Sequence, residues 1–165
     1  MSYLLIAFII AVVISPLLWL QLSPAQARAT AFRQRARELG LRVQLVADID
    51  AEDQDRRPGT VRYLRPYQVT TTAAQRDKVG SWTLMRNHRR GWDSPWPQWR
   101  WFRSEAPAAL YPHLEQLLAA LPEVSFGVRA DAHGVSVYLR ESGEVAVVDQ
   151  VARGLAEFVE AAGQP

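Results

Sequence analysis

The 165-residue chain has no cysteine, one lysine and three histidines. Without cysteine it can form no disulfide, no thiol nucleophile and no cysteine-ligated metal site. The sequence also lacks a nucleophile elbow, a glycine-rich phosphate loop and an HExxH helix. The three histidines stand apart from one another, without the spacing of metal ligands: His88, His113 and His133. We therefore predict no catalytic residue, no metal site and no cofactor.

The net charge of +2 hides an uneven distribution along the chain. Residues 28–103 carry sixteen basic and eight acidic side chains, whereas residues 104–165 carry three basic and nine acidic ones. A basic half followed by an acidic half can neutralise itself within one folded domain.

The first long feature of the sequence is an uncharged apolar run from Ser2 to Leu22. Twenty-one helical residues at about 1.5 Å each span about 31 Å, roughly the thickness of the hydrocarbon layer. A cleaved signal peptide ending near Ala25–Ala27 is the alternative, but the chain has no charged n-region and the apolar run is longer than a signal peptide needs. We predict a transmembrane anchor over residues 1–22. The arginines that follow it predict a cytoplasmic C-terminal domain at the bacterial inner membrane.

Residues 23–40 are predicted to form a basic juxtamembrane helix. Ser23 can cap it, Pro24 suits its first turn, and Gln26 has the spacing of a capping box. Its arginines are candidates for contact with anionic headgroups, or else mark topology on a solvated face: Arg28, Arg33, Arg35 and Arg37.

Residues 41–165 are predicted to form a cytoplasmic α+β domain with an antiparallel sheet and two C-terminal amphipathic helices. Alternation predicts strands near residues 41–46, 60–73, 80–88 and 98–103, with Pro66 at an edge or a bulge. A helix that ends at Pro122, a β-hairpin and a final helix follow them. The acidic stretch of residues 48–55 lacks the glycine and the terminal glutamate of an EF-hand, so we interpret it as a solvated loop.

Residues 86–103 concentrate tryptophan and arginine more than any other part of the chain. Trp82, Trp99 and Trp101 fit alternating strand positions and are predicted to lie in the core. Trp92 and Trp96 lie among glycine and prolines and are predicted to be exposed. The candidate residues for binding a partner or a lipid are Arg86, Arg89, Arg90, Trp92, Trp96, Arg100 and Arg103.

The apolar run followed by basic residues resembles the layout of small single-pass bacterial inner-membrane proteins, among them the YajC family of translocase accessory proteins. The resemblance covers roughly residues 1–42, and it implies an anchor with a cytoplasmic segment but no translocase role for the longer, more aromatic domain that follows. We predict a membrane-tethered, non-enzymatic module that binds or stabilises a protein partner at the cytoplasmic face. The alternatives are anionic-lipid or nucleic-acid binding through residues 86–103, and a membrane-anchored enzyme.

Overall fold

The computed structural model of the chain describes residues 23–45, 60–68 and 71–163. These residues form four α-helices and one seven-stranded antiparallel sheet. The helices are α1 (Pro24–Glu38), α2 (Ala73–Val79), α3 (Tyr111–Ala120) and α4 (Val147–Gly163). The strands are β1 (Arg42–Leu45), β2 (Thr60–Pro66), β3 (Trp82–Arg86), β4 (Trp92–Asp93), β5 (Trp99–Trp101), β6 (Ser125–Asp131) and β7 (Gly134–Arg140). Their order across the sheet is β1-β2-β7-β6-β3-β5-β4.

The β6–β7 hairpin lies at the centre of the sheet, where the sequence predicts it. Alternate residues of β7, Val135, Val137 and Leu139, are fully buried in the main core. Gly134 opens β7 with φ +152, and a Cβ there would lie 2.1 Å from the carbonyl oxygen of Arg65. Only glycine therefore allows the hairpin to pair closely with β2.

The helices cover one face of the sheet, with α4 in contact with α1, α2 and α3. The buried stripe of α4 includes Val148, Val151, Leu155 and Phe158, as its helical spacing predicts. The other face of the sheet carries a smaller buried apolar cluster: Met85, Phe102, Phe126 and Tyr138. This arrangement confirms the predicted α+β class, the antiparallel sheet and the two C-terminal amphipathic helices.

The membrane predictions need correction. Residues 1–22, where the anchor is predicted, lie outside the described residues, as do residues 48–55. Within the described ranges no helix combines the length and apolar character needed to cross a bilayer. The longest of these helices, α4, has 17 residues and carries charged side chains on one side: Asp149, Arg153, Glu157 and Glu160. An N-terminal transmembrane helix, a single-pass inner-membrane location and a cytoplasmic side for the domain are therefore not supported.

Two local predictions are also wrong. β2 ends at Pro66 and lies between β1 and β7, so Pro66 marks the end of an internal strand and not an edge. The strand predicted to run to residue 73 stops at Pro66, and α2 begins at Ala73 with a capping box formed by Thr72 and Gln75. The T-x-x-Q spacing is the sequence signal for this helix start.

Candidate functional site

The tryptophans of β3 and β5 form an aromatic core on the helix-covered face. Trp82, Trp99 and Trp101 are 0%, 6% and 1% exposed, which confirms their predicted burial. The Trp82 and Trp101 rings meet edge to face, with centroids 6.2 Å apart and planes at 85°. Phe158 of α4 contacts the Trp82 ring at 6.0 Å and connects this cluster to the helical layer.

A glycine fixes the outermost strand against this core. Gly91 has φ +96, and a Cβ there would lie 1.9 Å from the carbonyl oxygen of Trp101. Because glycine has no Cβ, β4 can pair with β5, and Trp92 then lies opposite Trp101. The two-residue β4 has no alternation of its own to reveal it, so it is absent from the predicted strands.

Trp92 and Trp96 differ in exposure. Trp92 is 43% exposed, and its indole Nε1 donates to Glu105 Oε2 at 3.4 Å. Trp96 is half-buried, with ring centroids 5.9 Å from Trp101 and 5.3 Å from Tyr111. Tyr111 donates a short hydrogen bond to the other oxygen of Glu105, and this bond raises the pKa of Tyr111. We call Trp92, Trp96, Glu105 and Tyr111 the aromatic edge.

A cavity of about 340 Å³ lies beside the aromatic edge. The turn that shapes it is braced by Ser94, whose Oγ contacts the Trp99 carbonyl oxygen at 2.7 Å and accepts from the Trp96 backbone N–H at 3.3 Å. Its lining residues are Asn87, Asp93, Ser94, Trp96, Pro97, Gln98, Trp99 and Arg100. The cavity therefore offers both indole and polar groups to a bound side chain.

The arginines of residues 86–103 do not form one continuous basic surface. The Arg86 guanidinium lies 5.6 Å from the centre of the Trp99 ring, on the face that the helices cover. Arg100 points to the other face, where it donates to the Gly91 carbonyl oxygen at 3.0 Å and pairs with Asp93 at 3.3 Å. Arg103 also lies there, 5.2 Å from the centre of the Phe102 ring, while Arg89 and Arg90 are exposed in the intervening turn.

No family model, no curated protein and no solved structure matches this chain. The resemblance in layout to the YajC family therefore gains no support. The function has to be inferred from the side chains themselves.

Two of the four candidate arginines of α1 attach this helix to the rest of the fold. Arg33 donates through Nε and a terminal nitrogen to the two carboxylate oxygens of Glu141, at 2.9 and 2.8 Å. Arg35 pairs with Asp149 of α4 at 2.5 Å. These hydrogen bonds raise the pKa of both arginines and lower the pKa of Asp149. The other two, Arg28 and Arg37, are exposed.

Tyr63 completes the attachment of α1. It is fully buried, and its hydroxyl donates to Glu141 at 3.0 Å. Burial, followed by the charge of Glu141, raises the pKa of Tyr63 well above its usual range. The Glu141 side chain is only 7% exposed, and Arg33 and Tyr63 supply hydrogen-bond donors to it in place of water.

A second polar network, which the sequence pattern does not reveal, lies on the other face of the sheet. Arg62 donates to Asp131 at 2.5 Å and to Ser136 Oγ at 2.9 Å. Burial acts to raise the pKa of Asp131, but the His133 backbone N–H and the Arg62 guanidinium lower it overall. Both charged side chains are 13% exposed and satisfied by each other, so we interpret the network as structural. No set of three acidic or histidine side chains in the described ranges could hold a metal ion.

Proposed function

We propose that the chain is a non-enzymatic module that binds a protein partner through the aromatic edge. The observation that carries this proposal is the exposure of Trp92. In the described parts of the chain, the exposed large apolar side chains are Leu45 and Trp92 alone. A partly exposed tryptophan beside a tyrosine is typical of the residues that dominate binding energy at protein interfaces.

Two contacts restrict the orientation of Trp92. β4 pairs with β5 on one side, and Glu105 accepts the indole N–H on the other. Trp96 and Tyr111 are in turn packed edge to face. A side chain that is already ordered loses little conformational entropy on binding, so more of its contact energy contributes to affinity.

The position of β4 suggests how a partner could add to this contact. β4 is the terminal strand of the described sheet, so an extended segment could align with its outer backbone. The strand is only two residues long, and the backbone alone would supply few hydrogen bonds. The adjacent cavity of about 340 Å³ provides room for one side chain of that segment.

The charges near Trp92 favour a protein over a phosphate-rich partner. Glu105 accepts the N–H of the exposed indole, and the Asp93 carboxylate, next to Trp92 in β4, pairs with Arg100. A nucleic acid or an anionic lipid surface would require several unpaired cations along one track.

The test compares Trp92→Ala with Leu45→Ala, which removes the other exposed apolar side chain at the opposite edge of the sheet. Tagged full-length protein is crosslinked in its native cells, and the crosslinked partners are identified at low and at high salt. We expect a protein partner that survives high salt and Leu45→Ala but is lost in Trp92→Ala. Partners that are retained in Trp92→Ala would refute the proposal, and salt-sensitive recovery of nucleic acid or lipid would favour the alternatives.

A further inference from the structure

A second cavity, of about 380 Å³, lies at the end of the sheet where β3 and β7 end and β6 begins. It is distinct from the aromatic edge, although Asn87 lines both cavities. Its volume is within the range of small-ligand sites. The residues that line it are Arg86, Asn87, Glu123, Val124, Ser125, Phe126, Arg140 and Ser142.

Two arginines supply most of the charge in this cavity. Arg140 is exposed, and its guanidinium has no acidic partner within the described ranges. Arg86 makes one long hydrogen bond, 3.4 Å to the Glu123 carbonyl oxygen, and otherwise rests on the Trp99 ring. Both guanidinium groups therefore keep N–H donors available for an anion.

A buried hydroxyl strengthens the case for a ligand. Ser125 is fully buried among the lining residues, and its Oγ has no hydrogen-bond partner. A buried polar atom without a partner is costly, and such atoms occur at sites that a ligand or water completes. The side chains of Asn87 and Ser142 add further donors at the rim.

The charge balance selects the kind of anion. Two guanidinium groups and the exposed Glu123 carboxylate give the lining a net charge of about +1. A phosphate monoester carries about −1.5 to −2 at neutral pH and would face the repulsion of Glu123. A carboxylate carries a single negative charge and accepts two parallel N–H donors from one arginine.

We propose that this cavity binds a single carboxylate group presented by an acidic peptide. The inference rests on the proposed function and extends it, because it names the chemistry of the partner: an acidic side chain or a C-terminal carboxylate for Arg86 and Arg140, adjoining an apolar contact at the aromatic edge. The shared residue Asn87 makes the two sites neighbours, so one extended peptide can occupy both.

The test is an NMR titration of the full-length chain, following the arginine Nε–Hε signals. The probes are a short capped peptide with one aspartate, its asparagine counterpart, an otherwise neutral peptide with a free C-terminal carboxylate, acetate and inorganic phosphate. We expect saturable shifts of Arg86 and Arg140 with either carboxylate peptide, and about tenfold weaker binding for Arg140→Gln. The control Arg153→Gln, which makes the same charge change on the exposed side of α4, should bind normally. Ser125→Ala should lower the affinity for the peptide. It should not lower the melting temperature of the protein, because the hydroxyl that it removes has no partner in the free protein.

Equal binding of the aspartate and asparagine peptides, or an unchanged affinity in Arg140→Gln, would overturn the proposal. Acetate binding as tightly as the peptides would overturn the peptide as the source of the carboxylate, and tighter binding of phosphate would overturn the preference for a monoanion. Trp92→Ala separates this inference from the proposed function. If that variant keeps its protein partner while the peptide still binds at Arg140, the aromatic-edge proposal fails and the carboxylate site stands.

Discussion

Trp101 is the residue whose truncation tests the architecture of the tryptophan-rich region most directly. It is 1% exposed, and its ring meets those of Trp82, Trp96 and Tyr111 at 6.2, 5.9 and 6.2 Å. Replacing a buried tryptophan with alanine costs about 3–5 kcal/mol. Small domains are stable by about 5–15 kcal/mol in total. Trp101→Ala should therefore lower the melting temperature by roughly 6–20 °C.

A second substitution at the same position isolates the indole N–H. Trp101 Nε1 is buried and has no hydrogen-bond partner. Trp101→Phe removes this group and relieves a desolvation cost of about 1–3 kcal/mol, which offsets much of the packing lost with the larger ring. The free energy of unfolding of the phenylalanine variant should therefore lie within about 1 kcal/mol of the wild-type value.

Trp92→Ala provides the matched comparison in the same strand pair. Trp92 is 43% exposed and lies at the terminal strand, so its removal should cost about 1 kcal/mol or less. Urea denaturation, monitored by far-UV circular dichroism, gives the free energy of unfolding of all three variants on one scale. A Trp101→Ala variant within about 1 kcal/mol of the wild type, or a Trp92→Ala variant as unstable as Trp101→Ala, would show that this assignment of core and surface is wrong.

Three further predictions concern the attachment of α1, the loss of stability at acid pH and the edge strand β4. Glu141→Gln removes the carboxylate that accepts two hydrogen bonds from Arg33 and so weakens the attachment of α1. Amide hydrogen exchange should therefore accelerate more in α1 than in α4. The folded state lowers the pKa of Asp131 from 3.8, so the stability that its carboxylate contributes is complete above that value and is lost as the pH falls through the lower folded pKa. Asp131→Asn should therefore flatten the pH dependence of the unfolding free energy below about pH 4, as measured by urea denaturation. Gly91→Ala places a methyl group 1.9 Å from a carbonyl oxygen and should detach β4, which amide exchange would report, whereas Gly143→Ala has a similar positive φ but meets no neighbour and should cost much less.

Each of these three predictions would be contradicted by a specific result. Unchanged exchange of α1 in Glu141→Gln would mean that apolar contacts alone hold the helix. If the unfolding free energy of Asp131→Asn falls as steeply at acid pH as that of the wild type, other carboxylates cause the pH dependence. Equal losses in the two glycine variants would mean that backbone conformation, and not the close approach of β4 to β5, sets the cost at Gly91.

The sequence predicts the elements that depend on local pattern. The capping box at Ser23, the apolar stripe of α4 and the two β-rich runs around the Asp131–Gly134 turn all depend on residues a few positions apart, and the structure has each of them. The ion pairs of the arginines cannot be predicted in this way, because their partners are distant in the sequence. Arg33 and Glu141 are 108 residues apart, and no periodicity connects them.

The candidate sites show the same division. The predicted burial of Trp99 and Trp101 follows from strand alternation, but the half-burial of Trp96 depends on Tyr111, which belongs to α3. The second cavity depends on Arg86 and Arg140, which come from strands on either side of β6. Sequence alone gives the residue types for such a site, but only the order of the strands shows which of them meet.

The way α1 is held has a consequence for any shortened form of this protein. A chain that begins at Leu41 would lack Phe32 and Ala36, which are both fully buried, and would leave an empty groove on the surface of α4. It would also leave the Glu141 carboxylate without Arg33, its cationic partner in the intact chain. Such a truncated chain should regain order when a synthetic peptide of residues 23–40 is added, because the groove and the carboxylate together form a receptor for that helix. In that case α1 would act as a ligand that is covalently attached to its own binding site.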